Sequence, residues 1–282
     1  MIGIVILNYE TWNVTLQCME SVASIEPKEM VRIYLVDNAS TRSKPKEIDA
    51  FIKQHDVCFI AAAENRGYAA GNNLGIHKAL EDRCDYVLIA NNDIRFRKTT
   101  IKTMMELLKS DERIGIVGPQ VVSIDGIRQP SVAMYKTGIR EIFHFYTGLR
   151  CLHRKKMSIY QGINQDAEGQ YPVYHVSGCC FLMSRKAAET LYPLDENTFL
   201  YDEELIIGIR MEQAGLQTWY CGSAVVEHHH GYTTQKNSAF MQKCIRDSEQ
   251  YYCREYLRAS KLVLKVLNVY RKGLARIRGI EN

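Results

Sequence analysis

The feature that most constrains this fold is a regular alternation of short apolar runs with segments whose apolar residues recur at helical spacing. The apolar runs predict five strands: Ile2–Leu7, Val31–Val36, Val57–Ala61, Tyr86–Ala90 and Gly115–Val122. Helices are predicted between them, at 14–22, 48–52, 68–80 and 100–108. Strands that alternate with helices form an α/β sheet with right-handed crossovers. The first half of the chain is therefore predicted to be a doubly wound α/β sheet.

Polar residues directly follow three of these strands. Asn8 and Tyr9 come after the first strand, Asp37 after the second, and the triplet Asn91-Asn92-Asp93 after the fourth. Sheets of this class bind ligands beyond the carboxyl ends of their strands, so a ligand site is predicted there. Asn and Asp are also common in turns, and each cluster taken alone leaves that alternative open. The first strand is not followed by the Gly-x-Gly-x-x-Gly of a nicotinamide enzyme, which argues against that class.

Two carboxylates among these residues carry specific chemical expectations. Asp37 can accept hydrogen bonds from a ribose hydroxyl or a base N–H, as acids do in dinucleotide-binding folds. Asp93, beside Asn91 and Asn92, can hold a hard divalent cation that in turn binds phosphate oxygens.

Two further segments combine polar residues with the start of a helix. Asn65–Asn73 contains two glycines that allow close approach of a ligand, and its helix-terminal amides suit an anion. Arg66 can pair with phosphate there, or be a solvated side chain. Asp202-Glu203-Glu204 precedes a helix predicted to end at 214. The helix dipole stabilises acids in a first turn, and one of the three can also act as a general base.

The histidine triplet His228-His229-His230 follows a strand predicted at 219–226. Alternation turns His228 and His230 to one face, where imidazole can ligate a metal, contact a diphosphate or have a structural role. Residues 125–170 are irregular, basic and aromatic, which is typical of a lid, a binding loop or a disordered stretch. Order is predicted to resume at 171–183.

The chain is predicted to be helical from about residue 238 to near its end. Apolar residues recur there at spacings of three and four: Val263, Leu267, Tyr270, Leu274 and Ile277. Lysines and arginines accompany them throughout, and Glu255 is the one acid between 254 and 278. A basic amphipathic helix of this kind can lie on an anionic membrane, or pack on its own domain with a solvated basic face. Both alternatives are left open.

Composition narrows the class of protein without identifying a function. The 282 residues are 46% hydrophobic and 24% charged, which excludes intrinsic disorder, and a net charge of +4 is too small to indicate nucleic-acid binding. No run of 18 apolar residues is present, and Met1–Val5 lacks the basic region of a signal peptide. Nine scattered cysteines without a Cys-x-x-Cys pair fit a reducing cytosol, so a cytoplasmic location is expected.

Taken together, these motifs resemble those of a family 2 glycosyltransferase with the GT-A fold, in the rhamnosyltransferase-like branch. The matching segments occur in order within residues 2–232: Val5–Tyr9, Val36–Ser40, Asn65–Asn73, Asn91–Asp93, Ser177–Cys180, Phe199–Glu204 and His228. The resemblance implies a Rossmann-like mixed sheet flanked by helices. It divides the chain into a GT-A domain at 1–235 and a basic helical extension at 236–282.

The resemblance also implies a reaction and its substrates. The activity would be inverting transfer of a sugar from a dTDP- or UDP-linked donor, dTDP-rhamnose among them, to a hydroxyl of a saccharide or lipid-linked acceptor. Such a reaction builds cell-surface polysaccharide or glycolipid, with peripheral contact to the inner face of the membrane as an added expectation. No nucleic-acid partner is expected, and a homodimer is left open.

Site roles follow from the same resemblance, residue by residue. The substrate-binding residues would be Asn8, Tyr9, Asp37, Asn65, Arg66, Gly67, Asn72, Asn91 and Asn92. Asp93 resembles the last acid of the family's Asp-x-Asp element and would bind Mg²⁺ or Mn²⁺ together with His228. Glu204 would be the general base, with Glu203 as the second candidate.

The sequence departs from the family pattern at two positions. Asn91 replaces the first acid of the Asp-x-Asp element, and Ile206 stands where the family has a further acid. These departures keep open a non-catalytic relative that binds nucleotide-sugar or acts as a partner subunit. A nucleotidyltransferase that makes activated sugars is the enzymatic alternative, but the Gly-rich, Arg-containing loop of that class does not follow the first strand.

Overall fold

The computed structural model describes residues 1–25, 31–147, 168–229 and 239–277. Its strands are β1 (Ile2–Asn8), β2 (Val31–Asp37), β3 (Cys58–Ala61), β4 (Tyr86–Asn91), β5 (Ile94–Phe96), β6 (Ile114–Val122), β7 (Val132–Ala133), β8 (Gln170–Val173), β9 (His175–Val176), β10 (Cys180–Ser184) and β11 (Gln217–His228). Its helices are α1 (Trp12–Ala23), α2 (Lys46–Gln54), α3 (Tyr68–Glu81), α4 (Thr100–Ser110), α5 (Ile139–Thr147), α6 (Arg185–Leu191), α7 (Glu203–Gln213), α8 (Ala239–Glu255) and α9 (Lys261–Ile277). The strands and helices predicted up to Val122 are all confirmed, with ends that shift by about two residues at most.

A mixed sheet forms the centre of the described structure. The strand order is β3-β2-β1-β4-β10-β6-β11-β5, and β8 also pairs with β11. The strands β1 to β4 are parallel, whereas β10 runs antiparallel between β4 and β6. The mixed α/β sheet implied by the resemblance is thus confirmed. The antiparallel strand separates the parallel half from the half that contains β6 and β11.

Side chains of the central strands alternate between two buried faces. Ile4 and Ile6 of β1 belong to one apolar cluster with residues of α1, α2 and α4. Val5, between them, belongs to a second cluster with residues of α3, α6 and α7. All three are fully buried. A strand covered on both faces is a continuous apolar run in sequence, which is why these strands were predictable.

The structure adds elements that periodicity did not predict. The strand β5 has three residues and follows the 91–93 triplet directly, so it is too short to show a pattern. The helix α6 is capped by Ser184, the residue before its first turn, whose Oγ accepts a hydrogen bond from Ala187 N at 3.2 Å. The segment 125–170, predicted to be irregular, contains β7 and α5. The part of that predicted loop at 148–167 lies outside the described residues, as does His230.

The C-terminal region consists of two helices where one was predicted. The break follows α8, and within it Arg258 has a φ of 54°, in the left-handed region. Leu267 of α9, Tyr252 of α8 and Ile142 of α5 form a third apolar cluster with residues of α7. This side of α9 therefore packs against the domain, which is one of the two alternatives that the sequence left open.

Two other structural facts bear on the expectations from composition. No helix within the described ranges is long and apolar enough to cross a bilayer. The eight cysteines in those ranges are all free thiols, and all of them except Cys58 are buried. Cys151, the ninth, lies outside the described residues.

The central position of β10 generates a stability prediction. Leu182 is fully buried, so its replacement by alanine removes packed methyl groups and leaves a cavity. We expect Leu182→Ala to lower the free energy of unfolding by about 2–5 kcal/mol in urea denaturation. The matched change Leu262→Ala, at a leucine that is 71% exposed, should lower it by less than about 0.5 kcal/mol. Equal effects of the two changes would contradict the placement of β10 in the core.

Candidate active site

The carboxyl ends of β1, β2 and β4 lie side by side. Asn8 at the end of β1 is opposite Asp37 at the end of β2. On the other side of β1, Leu7 is opposite Asn91 at the end of β4. The polar clusters predicted after these three strands therefore meet at one edge of the sheet.

A buried hydrogen-bond network supports this edge. Asn8 is fully buried, and its Nδ2 donates to Asp37 Oδ1 at 2.9 Å and to Ser40 Oγ at 3.1 Å. Its Oδ1 accepts from Thr15 Oγ1 at 2.7 Å. Thr15 Oγ1 in turn accepts from Asn92 Nδ2 at 2.8 Å. Asn8 and Asn92 are thus held inside the protein, where they orient Asp37 and the end of β4.

Asp37 and Tyr9 are the predicted nucleoside-binding residues that reach the surface. Tyr9 is 38% exposed, and Asp37 is partly exposed. Asn8 and Ser40 both donate to Oδ1 of Asp37, at 2.9 and 2.5 Å. These bonds fix the orientation of the carboxylate and do not use its second oxygen.

Three residues of the network were not predicted from the sequence: Thr11, Thr15 and Ser40. Asn92 Nδ2 donates to the hydroxyls of Thr11 and Thr15, at 2.7 and 2.8 Å. The two threonines are four residues apart at the start of α1, so they lie on one face of that helix. This spacing of hydroxyls is the signal that could have identified them.

The loop before α3 contacts the loop before α7. Gly67 has a φ of 94°, and a Cβ there would lie 2.2 Å from the carbonyl oxygen of Phe199, so only glycine fits. Tyr68 N donates to that same oxygen at 2.9 Å. Asn38 Nδ2 holds the loop from the other side by donating to Asn65 Oδ1 at 2.9 Å and to Gly67 O at 3.1 Å. These contacts join the predicted donor-binding loop to the segment that carries the acids.

Arg66 and Asn72, also predicted near the donor, differ in exposure. The Arg66 side chain is 59% exposed, and its Nη2 lies 3.0 Å from Glu196 Oε2. Asn72 is fully buried in α3, and its Nδ2 donates to Tyr68 O at 3.0 Å. Arg66 is therefore accessible to a phosphate that replaces Glu196, whereas Asn72 supports the start of α3 from inside.

Asp93 and His228, the predicted metal ligands, lie beside each other because β5 pairs with the end of β11. His228 Nε2 is 3.2 Å from Asp93 Oδ1, and the two side chains are 10% and 9% exposed. This contact lacks hydrogen-bond geometry, so Oδ1 is a buried acceptor with no hydrogen-bond donor among the described residues. A carboxylate oxygen and an imidazole nitrogen placed in this way fit a divalent cation. Across the described ranges no three His, Cys, Asp or Glu side chains are grouped to hold an ion.

The three acids at the start of α7 have different surroundings. Burial, with a smaller contribution from the charge of Glu204, raises the pKa of Glu203 to about 8. Burial also raises the pKa of Asp202 well above its usual range. Glu204 is only partly buried and faces a small cleft, about 80 Å³ in volume, that Asp202, His175 and Glu249 also line. Glu204 is therefore the acid of the pair Glu203-Glu204 that an acceptor can reach.

The helix α8 fastens the segment that precedes these acids. Ser248 Oγ donates to Leu200 O at 2.8 Å. Tyr251 and Tyr256 both donate their hydroxyl protons to Asp195 Oδ2, at 2.8 and 2.6 Å. The position of the acidic first turn of α7 therefore depends on a helix that lies far beyond it in sequence.

The loop that ends in Cys179 lies between the two predicted functional groups. Cys179 O accepts a hydrogen bond from Asn91 N at 2.8 Å, which attaches the loop to the end of β4. Burial raises the pKa of the Cys179 thiol to about 12, and the carboxylates of Asp93 and Glu204 contribute to the rise. The same loop accepts a hydrogen bond at Gly178 O from the Tyr68 hydroxyl, and Tyr68 N donates to Phe199 O. The loop therefore links the end of β4, just before Asp93, to the segment that precedes Glu204.

The two departures from the family pattern have different settings. Asn91 is partly exposed at the end of β4. Ile206 is 2% exposed and belongs to the apolar cluster that α7 shares with α8 and α9. An acid at position 206 would be buried in that cluster and would not face the cleft at Glu204. The isoleucine therefore removes no charged group from that cleft.

The model of the family described as glycosyl transferase family 2 matches residues 3–192, about two thirds of the chain. A protein named N-acetylglucosaminyl-diphospho-decaprenol L-rhamnosyltransferase, from Mycobacterium tuberculosis, is 27% identical over 224 residues. The matched region covers 77% of this chain and 72% of that protein.

Solved structures share the fold. GalNAc-T7, in a crystal structure with UDP, GalNAc and Mn²⁺, has a TM-score of 0.66 at 14% identity; the match covers 97% of this chain and only 55% of that one. The mannosyltransferase PcManGT from Pyrobaculum calidifontis, in complex with GDP-Man and Mn²⁺, has a TM-score of 0.60 at 14% identity, over 97% of this chain and 69% of that one. These likenesses establish the GT-A fold, and the family match shows that the chain, which resembles a rhamnosyltransferase, belongs to glycosyltransferase family 2.

Proposed function

We propose that this glycosyltransferase moves a sugar, with inversion, from a nucleoside diphosphate sugar to a hydroxyl of a saccharide or lipid-linked acceptor in cell-surface polysaccharide or glycolipid synthesis. One observation carries the proposal: the Gly178-Cys179 loop bonds to Asn91 at the end of β4 and, through Tyr68, to Phe199, so it connects the segments that hold the carboxylates of Asp93 and Glu204. The reaction needs a stabilised leaving group and a base at one place, and these two carboxylates supply them. The rhamnosyltransferase relative supports a rhamnose donor, and a second relative, named dTDP-rhamnosyl transferase RfbF, supports its dTDP-linked form; UDP-linked sugars are the alternative.

Donor binding is assigned to the polar edge of the sheet. Asp37 and Tyr9 would hold the nucleoside, because Asn8 and Ser40 fix one oxygen of Asp37 and leave the other for a ribose or base N–H or O–H. The other residues predicted to bind the donor are proposed to do so too, and the buried ones among them act by holding neighbouring groups in position. These residues are Asn8, Asn65, Arg66, Gly67, Asn72, Asn91 and Asn92.

Asp93 and His228 would hold the divalent cation, Mg²⁺ or Mn²⁺. The imidazole nitrogen favours Mn²⁺ of the two, since Mg²⁺ prefers oxygen ligands. The solved structures of GalNAc-T7 and PcManGT, which share this fold, both contain Mn²⁺. When bound at this pair, the cation supplies charge that neutralises the departing diphosphate.

Glu204 is the proposed general base. With a pKa of about 8, Glu203 keeps its proton at neutral pH and is not ready to accept another. Glu204 faces the cleft, where it would take the acceptor proton while the acceptor oxygen attacks the anomeric carbon on the face opposite the diphosphate. Holding both substrates in one cleft supplies the orientation that the reaction needs.

Three expectations from the sequence remain proposals. These are a cytoplasmic location, a boundary between two units at 235/236, and a homodimer. A peripheral contact with the inner face of a membrane is also proposed, and it depends on the surface of the last helix.

Removal of the Asp93 carboxylate should abolish metal-dependent release of nucleoside diphosphate. The protein is incubated with UDP- or dTDP-sugars and Mn²⁺, and free UDP or dTDP is measured. We expect Asp93→Asn to lower the rate by about 100-fold or more, because it removes a group that stabilises the leaving diphosphate. The control Asp56→Asn, which removes a carboxylate that is 92% exposed, should leave the rate unchanged. Donor binding without any release, even with extracts that contain acceptors, would favour the non-catalytic relative instead.

Glu204→Gln removes the proposed base while it preserves the shape of the side chain. We expect turnover with acceptor extracts to fall by about 100- to 10,000-fold, with the donor Kd from calorimetry unchanged. Glu212→Gln, a change at an exposed acid on the same helix, is the matched control. Undiminished turnover in Glu204→Gln would show that another group is the base, and Glu203 would be the first candidate.

The raised pKa of Glu203 predicts how stability depends on pH. The folded protein keeps this proton up to about pH 8, whereas the unfolded chain loses it near the ordinary pKa of 4.5. Between these values the folded state binds more protons, so the contribution of Glu203 to the free energy of unfolding decreases as pH rises from about 5 to 8. Glu203→Gln should flatten the measured decrease in urea unfolding, and Glu212→Gln should retain it. An unchanged slope in Glu203→Gln would show that Glu203 ionises normally.

A further inference from the structure

The helix α9 has apolar residues on two sides, and only one side packs on the protein. Leu267 is 5% exposed and belongs to the apolar cluster of α5, α7 and α8. On the other side, Leu262 is 71% exposed, Val269 is 68% exposed and Val266 is 38% exposed. Positions 262, 266 and 269 have the spacing that aligns side chains in one stripe along a helix. No other part of the described chain covers this stripe.

A row of lysines borders the stripe. Lys261, Lys265 and Lys272 are exposed, and helical geometry places them on one flank of the apolar residues. Among the residues that the structure describes, no carboxylate lies within ion-pair distance of these lysines, and α9 itself contains no acid. We call the exposed stripe and these three lysines the outer face of α9.

We propose that the outer face of α9 docks on an anionic lipid membrane. Lysines near such a surface are attracted by the acidic headgroups, while exposed apolar side chains enter the boundary between headgroups and acyl chains. The uniform positive charge and the apolar stripe along a single helix match these two requirements.

The inner side of α9 connects the outer face to the candidate active site. Arg271 Nη1 lies 3.6 Å from Glu249 Oε1, and Glu249 lines the cleft that Glu204 faces. The helix α5, which packs on α9, contributes Ile142 to the same cleft. A membrane on the outer face would therefore lie one helix away from the proposed base. The inference rests on the proposed function, and it selects a lipid-linked acceptor over a soluble saccharide.

Co-sedimentation of the full chain with vesicles tests the docking surface. At low ionic strength we expect binding to phosphatidylcholine vesicles that contain roughly one third phosphatidylglycerol, and binding at least about tenfold weaker to phosphatidylcholine alone. The combined change Lys261→Gln, Lys265→Gln and Lys272→Gln should weaken binding to the anionic vesicles by on the order of 100-fold, because each lysine near the surface contributes about fivefold. Added salt should release the unsubstituted protein.

Matched controls separate the outer face from general charge and hydrophobicity. Lys53→Gln, Lys98→Gln and Lys102→Gln together remove the same charge from other exposed positions, and this variant should keep binding.

The apolar stripe has its own pair of variants. Leu262→Ser with Val269→Ser should weaken vesicle binding by about tenfold or more, because less apolar surface enters the lipid. Ile124→Ser with Ile127→Ser, at two isoleucines that are each 67% exposed, is the control and should bind normally.

Equal binding to both vesicle types, or equal losses in the outer-face variants and their controls, would overturn the docking proposal. A change of molar mass in light scattering that is confined to the outer-face variants, with vesicle binding unchanged, would assign the face to a second copy of the chain and also overturn it. Donor binding by calorimetry, measured without vesicles, distinguishes the two proposals. Intact donor binding without vesicle binding rejects docking alone, whereas vesicle binding without donor binding rejects the proposed function.

Discussion

The polar edge of the sheet depends on the hydrogen bonds of one buried amide. Asn8 has no access to solvent, and its two N–H groups and its oxygen bond to Asp37, Ser40 and Thr15. A buried amide that lost these partners would be costly, so they are held in one arrangement. Through Thr15 the same network reaches Asn92, next to Asp93. The network thus runs from the carboxylate proposed to bind the nucleoside to Asn92, the residue next in sequence to the carboxylate proposed to bind the cation.

Burial gives two neighbouring glutamates different chemistry. Glu203 turns into the protein, where the absence of water favours its neutral form. Glu204 turns to the cleft, and a neutral neighbour spares it the repulsion of a second adjacent charge. The helix dipole at the start of α7 also favours a negative charge at this position. Of these two glutamates, Glu204 is therefore the one that presents its carboxylate to the acceptor side.

The parallel half of the sheet could be predicted because strands buried on both faces leave long apolar runs, with polar residues at the ends. The inward orientation of Asn8, Asn72 and Asn92 could not be predicted, since an amide after a strand or in a helix has the same sequence pattern whether it faces substrate or supports it from behind. The contact between Gly67 and Phe199 could not be predicted either. It joins positions far apart in the chain, and local periodicity carries no information on such pairs.

The C-terminal half shows a second limit. The break between α8 and α9 involves one left-handed residue, Arg258, with no glycine to signal it. The charge pattern left open whether the C-terminal helix packs on the domain or faces outward. In the structure one side of α9 packs on the domain and another side is exposed. The spacing of Val263 and Leu267 predicts one apolar face, but it gives no information on the second apolar side that carries Leu262, Val266 and Val269.

The anchoring of the acidic turn by α8 has a consequence for how enzymes of this kind diversify. The family match ends at Tyr192, whereas Ser248 and the tyrosines of α8 fasten the segment before the proposed base. On the proposed assignment, exchange of the C-terminal helices between relatives would change the acceptor side of the site and leave the proposed nucleoside-binding residues in place.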